Sequence, residues 1–84
     1  MSTNELQQIP GVGKQISQDL CDIGIHNVGD LKGKDPEKLF EKSNKKVGVV
    51  QDRCLLYVFR CAVYYAEHKT HDPQKLKWWN WKDT

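Results

Sequence analysis

Gly11-Val12-Gly13-Lys14 is the segment of this chain best suited to a chemical task. Two glycines around one apolar residue let the backbone turn tightly and bring amide N–H groups outward where a helix begins. Such a helix start carries free donors and a positive partial charge, and glycines beside it let an anion approach the backbone closely. Lys14 adds a mobile cation, while Val12 points inward and pins the turn. The chemistry is the capture of one or two backbone phosphates without reading bases. The competing reading is a turn that only joins packed helices or docks another protein.

Other residues suggest accessory contacts. Lys45, Lys46 and Gly48 lie in Lys45-Lys46-Val47-Gly48-Val49-Val50, and Arg53 and Arg60 alternate with Tyr57 and Tyr64 in the manner of a nucleic-acid stripe. Against this, Lys45-Lys46 reads as a solvated loop. The arginines read as stems packed on neighbouring helices, with Arg60 paired to Glu67 or another carboxylate. His68 and His71 lack a Cys or acidic ligand at metal spacing, so no metal is expected. Cys21, Cys54 and Cys61 match no zinc-finger pattern. On one helix Cys54 and Cys61 stand about 10.5 Å apart, too far for a disulfide, so the cysteines read as reduced, buried thiols. No nucleophile–base–orienter set, P-loop or dinucleotide fingerprint is present, so no catalytic residue, cofactor or small-molecule substrate is expected.

Helices must position these groups. Ser2-Thr3-Asn4-Glu5 fits a capping box in which Glu5 reaches back to Ser2, and the short first helix, anchored by Leu6, stops before Pro10. Pro10-Gly11 suits the centre of a type II turn, whose second position needs φ > 0. The next helix runs from about Gly13 to Asp22, with Ile16, Leu20 and Ile23 on one side and Gly24 as its C-terminal stop. Asn27 caps a one-turn helix around Leu31 that ends near Gly33. Asp35-Pro36 starts a helix that buries Leu39 and Phe40 and fades in Ser43-Asn44-Lys45-Lys46.

The longest helix is expected over roughly Val49 to Lys69. Its apolar side holds Cys54, Leu55, Val58, Cys61, Ala62 and Tyr65, joined by Phe59 and Ala66; its opposite stripe holds Arg53, Tyr57, Arg60, Tyr64 and Glu67. Asp72-Pro73 launches a last short helix through Leu76 into Trp78-Trp79-Asn80-Trp81. Three tryptophans beside so small a core read as a tail that folds back and caps the domain, rather than as an exposed patch.

Eighty-four residues with 38% hydrophobic content make one small domain. Its parts are a hairpin unit over about 3–33, a second helical half over about 35–69 and a tryptophan-rich cap over 72–84. The net charge of +2 and isoelectric point near 8.5 are mildly basic, below the value of roughly 9 typical of strong nucleic-acid binders. Ten of the thirteen basic side chains lie in residues 35–84. No membrane-spanning run, signal peptide or lipidation signal is evident, which reads as a cytoplasmic protein.

Leu6-x-x-Ile9-Pro10-Gly11-Val12-Gly13-Lys14, followed by Ile16, Leu20 and Ile23-Gly24-Ile25, resembles the helix-hairpin-helix motif of DNA repair and recombination proteins. The continuation His26-Asn27-Val28-Gly29-Asp30-Leu31 is similar to the C-terminal domains of competence regulators and of the RNA polymerase α subunit. Val58–Ala66 and Leu76-Lys77-Trp78-Trp79-Asn80-Trp81 resemble the bacterial "pathogenicity locus" family of small helix-hairpin-helix proteins, some with mitomycin-resistance-type names.

The resemblance implies an all-α fold, a compact SAM-like domain of five to six helices with one helix-hairpin-helix unit. It places phosphate binding on the backbone of Gly11, Val12 and Gly13 and on the Lys14 side chain. Ser17 stands where the motif usually has alanine, at a close crossing of two helices. A second hairpin would fall on Lys46–Val50, with one glycine instead of two, a departure from paired hairpins that grip both strands. The expected function is weak, sequence-independent, non-catalytic DNA binding. The alternative is a protein–protein interaction module in which the hairpin and the aromatic surfaces dock a partner protein.

Overall fold

Three α-helices form where the sequence supplies a start and a stop: α1 (Lys14–Asp22), α2 (Pro36–Val47) and α3 (Arg53–Glu67). Single 3₁₀ turns at Val28–Leu31, Pro73–Leu76 and Trp78–Trp81 complete the order. The computed structural model describes residues 5–82, and among these there is no strand. The all-α expectation holds in this form, but among the described residues the expected five to six helices come to three complete α-helices, with single 3₁₀ turns around Leu31 and in the tail.

Local signals account for the starts. Asp35 accepts the Glu37 N–H at 2.9 Å ahead of Pro36, and Asp72 accepts the Gln74 N–H at 2.9 Å ahead of Pro73, each satisfying a donor that the first turn leaves orphaned. Asn27 caps its 3₁₀ turn through the Asp30 N–H. At the end of α1, Gly24 takes φ +95°. Its N–H donates to Cys21 and that of Ile25 to Leu20, a Schellman stop that buries Ile25.

The capping box proposed for Ser2 lies outside the described residues; Glu5 Oε1 accepts the Val28 N–H at 2.9 Å. Three expectations need correction. The Lys45-Lys46 segment is not a fading loop. Both lysines sit in the last turn of α2, where cations complement the helix dipole, and Gly48 closes the helix with φ +83°. The longest helix begins at Arg53 and not near Val49, because Asp52 caps it through the Cys54 N–H. Asn44 meanwhile holds Gln51 outside it by accepting the Gln51 backbone and side-chain N–H groups. The terminal helix breaks into two 3₁₀ turns at the extended Lys77. There, Asn80 Nδ2 and Trp81 Nε1 donate to the Gln74 and Lys75 carbonyls at 2.7 Å each, replacing bonds a continuous helix would make.

α3 is the central element, packed against α2, the Val28–Leu31 turn and both tail turns. Its buried residues are Leu56, Val58, Phe59, Cys61, Ala62, Val63 and Ala66, an arc wider than the expected stripe. Leu56 and Val63 belong to it, while Cys54 is exposed. Leu6, Ile9, Leu20, Leu31 and Phe40 close the core around Phe59.

Candidate functional site

Ile9 and Val12 are both buried, and Pro10-Gly11 reverses the chain between them. The Val12 N–H donates to the Ile9 carbonyl at 3.0 Å, and Gly11 takes φ +88°, the geometry of a type II turn. A Cβ on Gly11 would stand 2.8 Å from Cδ1 of Trp78. The tail therefore covers one side of the turn, and glycine is required there both by backbone conformation and by an indole.

The other side of the turn is open. Gly13 precedes α1 in extended conformation and supplies no side-chain cap, and the first turn of α1 contains no acidic residue. The leading amides of a helix have no intrahelical acceptor. A Cβ on Gly13 would meet nothing within 4 Å, and Lys14 beside it is exposed. Donors, a positive helix end, free approach and one mobile cation are thus assembled at one spot, an arrangement that suits an anion's oxygens. Ser17 is fully buried one turn later. Its hydroxyl donates to the Lys14 carbonyl at 2.8 Å and accepts from Gln7 Nε2 at 3.5 Å, so this small side chain lets the preceding segment close on α1.

The accessory candidates do not gather at that spot. Lys45 and Lys46 line a shallow groove with Asp22, Ile23 and Lys42, beside the C-terminal end of α1. The length of α1 separates them from Gly13, roughly 12 Å at the helical rise. Gly48 leads into exposed Val49 and Val50, 65% and 84% accessible. Arg53 heads α3 next to Cys54 and Leu55, which share an apolar groove with Gly11, Ile16 and Trp78. Arg60 is engaged within the chain: it donates to the Trp81 carbonyl at 2.8 Å and pairs with Glu37 at 3.3 Å. Glu67 instead accepts the Gly33 N–H at 3.1 Å.

Cys61 marks a junction that residue spacing did not reveal. Its buried sulfur lies 3.5 Å from the carbonyls of Lys75 and Leu76 and 4.0 Å from that of Pro10, where helix, tail and turn meet. Burial pushes its thiol pKa up to about 11. At Cys54 the Asp52 carboxylate, which accepts the thiol proton, also raises the pKa, but that side chain is exposed. Since the thiolate is the nucleophile, a disulfide reagent at mildly alkaline pH should modify Cys54 in the native protein and Cys61 only on unfolding. Equal native rates at the two would show that the junction opens freely.

Among the described residues, no three His, Cys, Asp or Glu side chains are grouped to hold a metal ion, and no helix is long and apolar enough to cross a membrane. The family model described as "Pathogenicity locus" (Cdd1) matches residues 1–84. The chain is 30% identical over 78 residues to the mitomycin resistance protein McrB of Streptomyces lavendulae, a stretch covering 93% of this chain and 70% of that protein. No solved structure matches the chain.

Proposed function

The chain belongs to the pathogenicity locus family, and from that premise we propose that it is a weak, sequence-independent, non-catalytic DNA-binding module of the cytoplasm. Its turn and α1 form a helix-hairpin-helix unit that holds one backbone phosphate on the amides following Gly11 and Gly13, with Lys14 as counter-charge. The observation that carries this reading is the uncapped start of α1, open at Gly13 and free of first-turn acidic residues. Lys45, Lys46 and Gly48 are outlying contacts reached only by a long or bent strand, whereas Arg53 adjoins the groove that Gly11 lines. The second reading, docking of a partner protein, is favoured by the exposed Val47, Val49, Val50 and Trp79.

The small net charge sets the scale. Neutralising about two to four phosphates gives a log K against log salt slope near −2 to −4, with a Kd of roughly 10⁻⁴ to 10⁻⁵ M at physiological salt. Gly13→Asp is the discriminating variant. An aspartate there meets open space and can cap α1, so the melting temperature should hold or rise slightly. Its charge should lower DNA affinity about tenfold, while Lys14→Ala should reduce the salt slope by about 1 on every sequence tested. Fluorescence anisotropy of labelled duplexes at three salt concentrations measures both. A slope near zero, or a Gly13→Asp protein that binds like the parent, excludes the hairpin as a DNA site and leaves protein docking.

A further inference from the structure

A cavity lies away from the Gly11–Lys14 turn, between the start of α2, the C-terminal half of α3 and the tail. It encloses about 710 Å³ and is lined by Pro36, Arg60, Val63, Tyr64, Glu67, His68, Lys75 and Trp81, within the range of roughly 300–1,000 Å³ usual for small-ligand sites. Arg60, Val63, Tyr64 and Glu67 recur at three and four residues, so one face of α3 forms the floor.

Its aromatic walls are held from several sides. Trp81 is fixed by its own Nε1–H on the Lys75 carbonyl at 2.7 Å and by Arg60 on its carbonyl at 2.8 Å. Tyr64 is fixed by the Asp72 N–H donating to its hydroxyl at 2.8 Å. The two ring centroids are 5.5 Å apart at 42°, and both side chains remain partly exposed. Walls ordered before binding spare a ligand the entropy of ordering them.

The polar rim is balanced. Arg60 is offset by Glu37 at 3.3 Å. Lys75, 5.6 Å above the Tyr64 ring, stands with Glu67 on the same lining. His68 Nδ1 lies 2.9 Å from the Tyr64 carbonyl, which can only accept. Nδ1–H therefore donates there, and Nε2 is the ring's remaining polar atom. The rim offers a donor at Lys75, an acceptor at Glu67 and the remaining ring nitrogen of His68 beside the aromatic wedge.

We propose that this cavity binds a flat, uncharged aromatic heterocycle with donors and acceptors on its edge, the chemistry of a nucleobase. The base stacks on Trp81 and Tyr64 and meets Glu67, His68 and Lys75 with its edge. It arrives either in a free nucleoside or at the end of a single strand.

Adenosine, AMP and a short oligodeoxyadenylate titrated into the ¹⁵N-labelled full chain test this. Adenosine should shift the Trp81 indole N–H and the His68 and Glu67 amides with a Kd of about 10⁻⁴ M, the reach of a ligand of nucleoside size. AMP should bind within about threefold of adenosine, because the rim has no spare charge for its phosphate. Shifts at Trp81 from the oligonucleotide but not from adenosine would assign the base to a strand. Trp81→Phe, which keeps a ring, should retain binding within about threefold, and Trp81→Ala should lose tenfold or more. His68→Ala, on the rim and packed on Tyr64 but making none of the tail's hydrogen bonds, should cost about threefold with the fold intact. If none of the probes moves the Trp81 resonance, or all shifts gather at Gly13 and Lys14, there is no base site here. The latter result would leave the DNA-binding reading standing without it.

Discussion

Gly11→Val is expected to lower the thermal midpoint by roughly 12–24 °C. At φ +88° a β-branched residue pays about 1–3 kcal/mol in backbone strain. The new Cβ also lies 2.8 Å from Trp78, so the indole must leave its seat and surrender buried area. The sum, about 3 kcal/mol, becomes the stated shift at roughly 4–8 °C per kcal/mol for a domain of this size. A double-mutant cycle of Gly11→Ala with Trp78→Ala separates the two causes, since strain persists without the indole and the clash does not. A Gly11→Val protein that melts within about 2 °C of the parent would refute both.

The features that were legible in the sequence are those fixed within a few residues. Pro10-Gly11 reads as a type II turn because proline sets one dihedral and glycine permits the next. Asp35-Pro36, Asp72-Pro73 and Gly24 likewise start or stop helices through bonds to their immediate neighbours. The break between α2 and α3 was misread because it rests on Asn44 and Ser43 reaching across seven and eight residues to Gln51. No propensity records that bond. The α3 stripe was rotated for a related reason. A helix covered on most sides buries Leu56 and Val63 beyond any single face, and periodicity cannot say how many neighbours will arrive.

The candidate site divides along the same line. The Gly11 turn and the uncapped start of α1 at Gly13 and Lys14 were legible because they are contiguous in sequence. That Lys45 and Lys46 stand at the far end of α1 was not, since it depends on how α2 crosses α1. Arg60 was correctly read as paired to a carboxylate, but the carboxylate is Glu37, while Glu67 is drawn to the Gly33 amide. The contact of Trp78 with Gly11 joins residues at opposite ends of the chain, and only the folded molecule brings them together.

Deleting residues 77–84 should cost more than any single substitution, with a fall in thermal midpoint of about 15–30 °C. The reading of the tail as a structural cap has physical support in what the deletion removes. Trp78 leaves the turn at Gly11, and Trp81 leaves Tyr64 and the Arg60 guanidinium. Trp79 is half accessible and contributes less, so two indoles carry the effect. Each can bury on the order of 150–250 Å². At about 25 cal/mol per Å², less the entropy of ordering the tail, a net loss of about 3–5 kcal/mol follows.

Arg60 would keep Glu37 but lose the carbonyl it donates to, leaving a partly buried cation with fewer partners. Cys61 would lose a firmly placed neighbour at Leu76, so its protection from disulfide reagents should fail in the same variant. For a small domain whose whole stability is about 5–15 kcal/mol, such a loss brings unfolding near working temperature. Circular dichroism follows the melt without the missing tryptophans, and removal of 82–84 alone, which keeps the Trp81 anchors, serves as the control. If the 77–84 deletion melts like the control and Cys61 stays protected, the tail holds nothing together. Its three tryptophans would then be a surface kept for a partner protein.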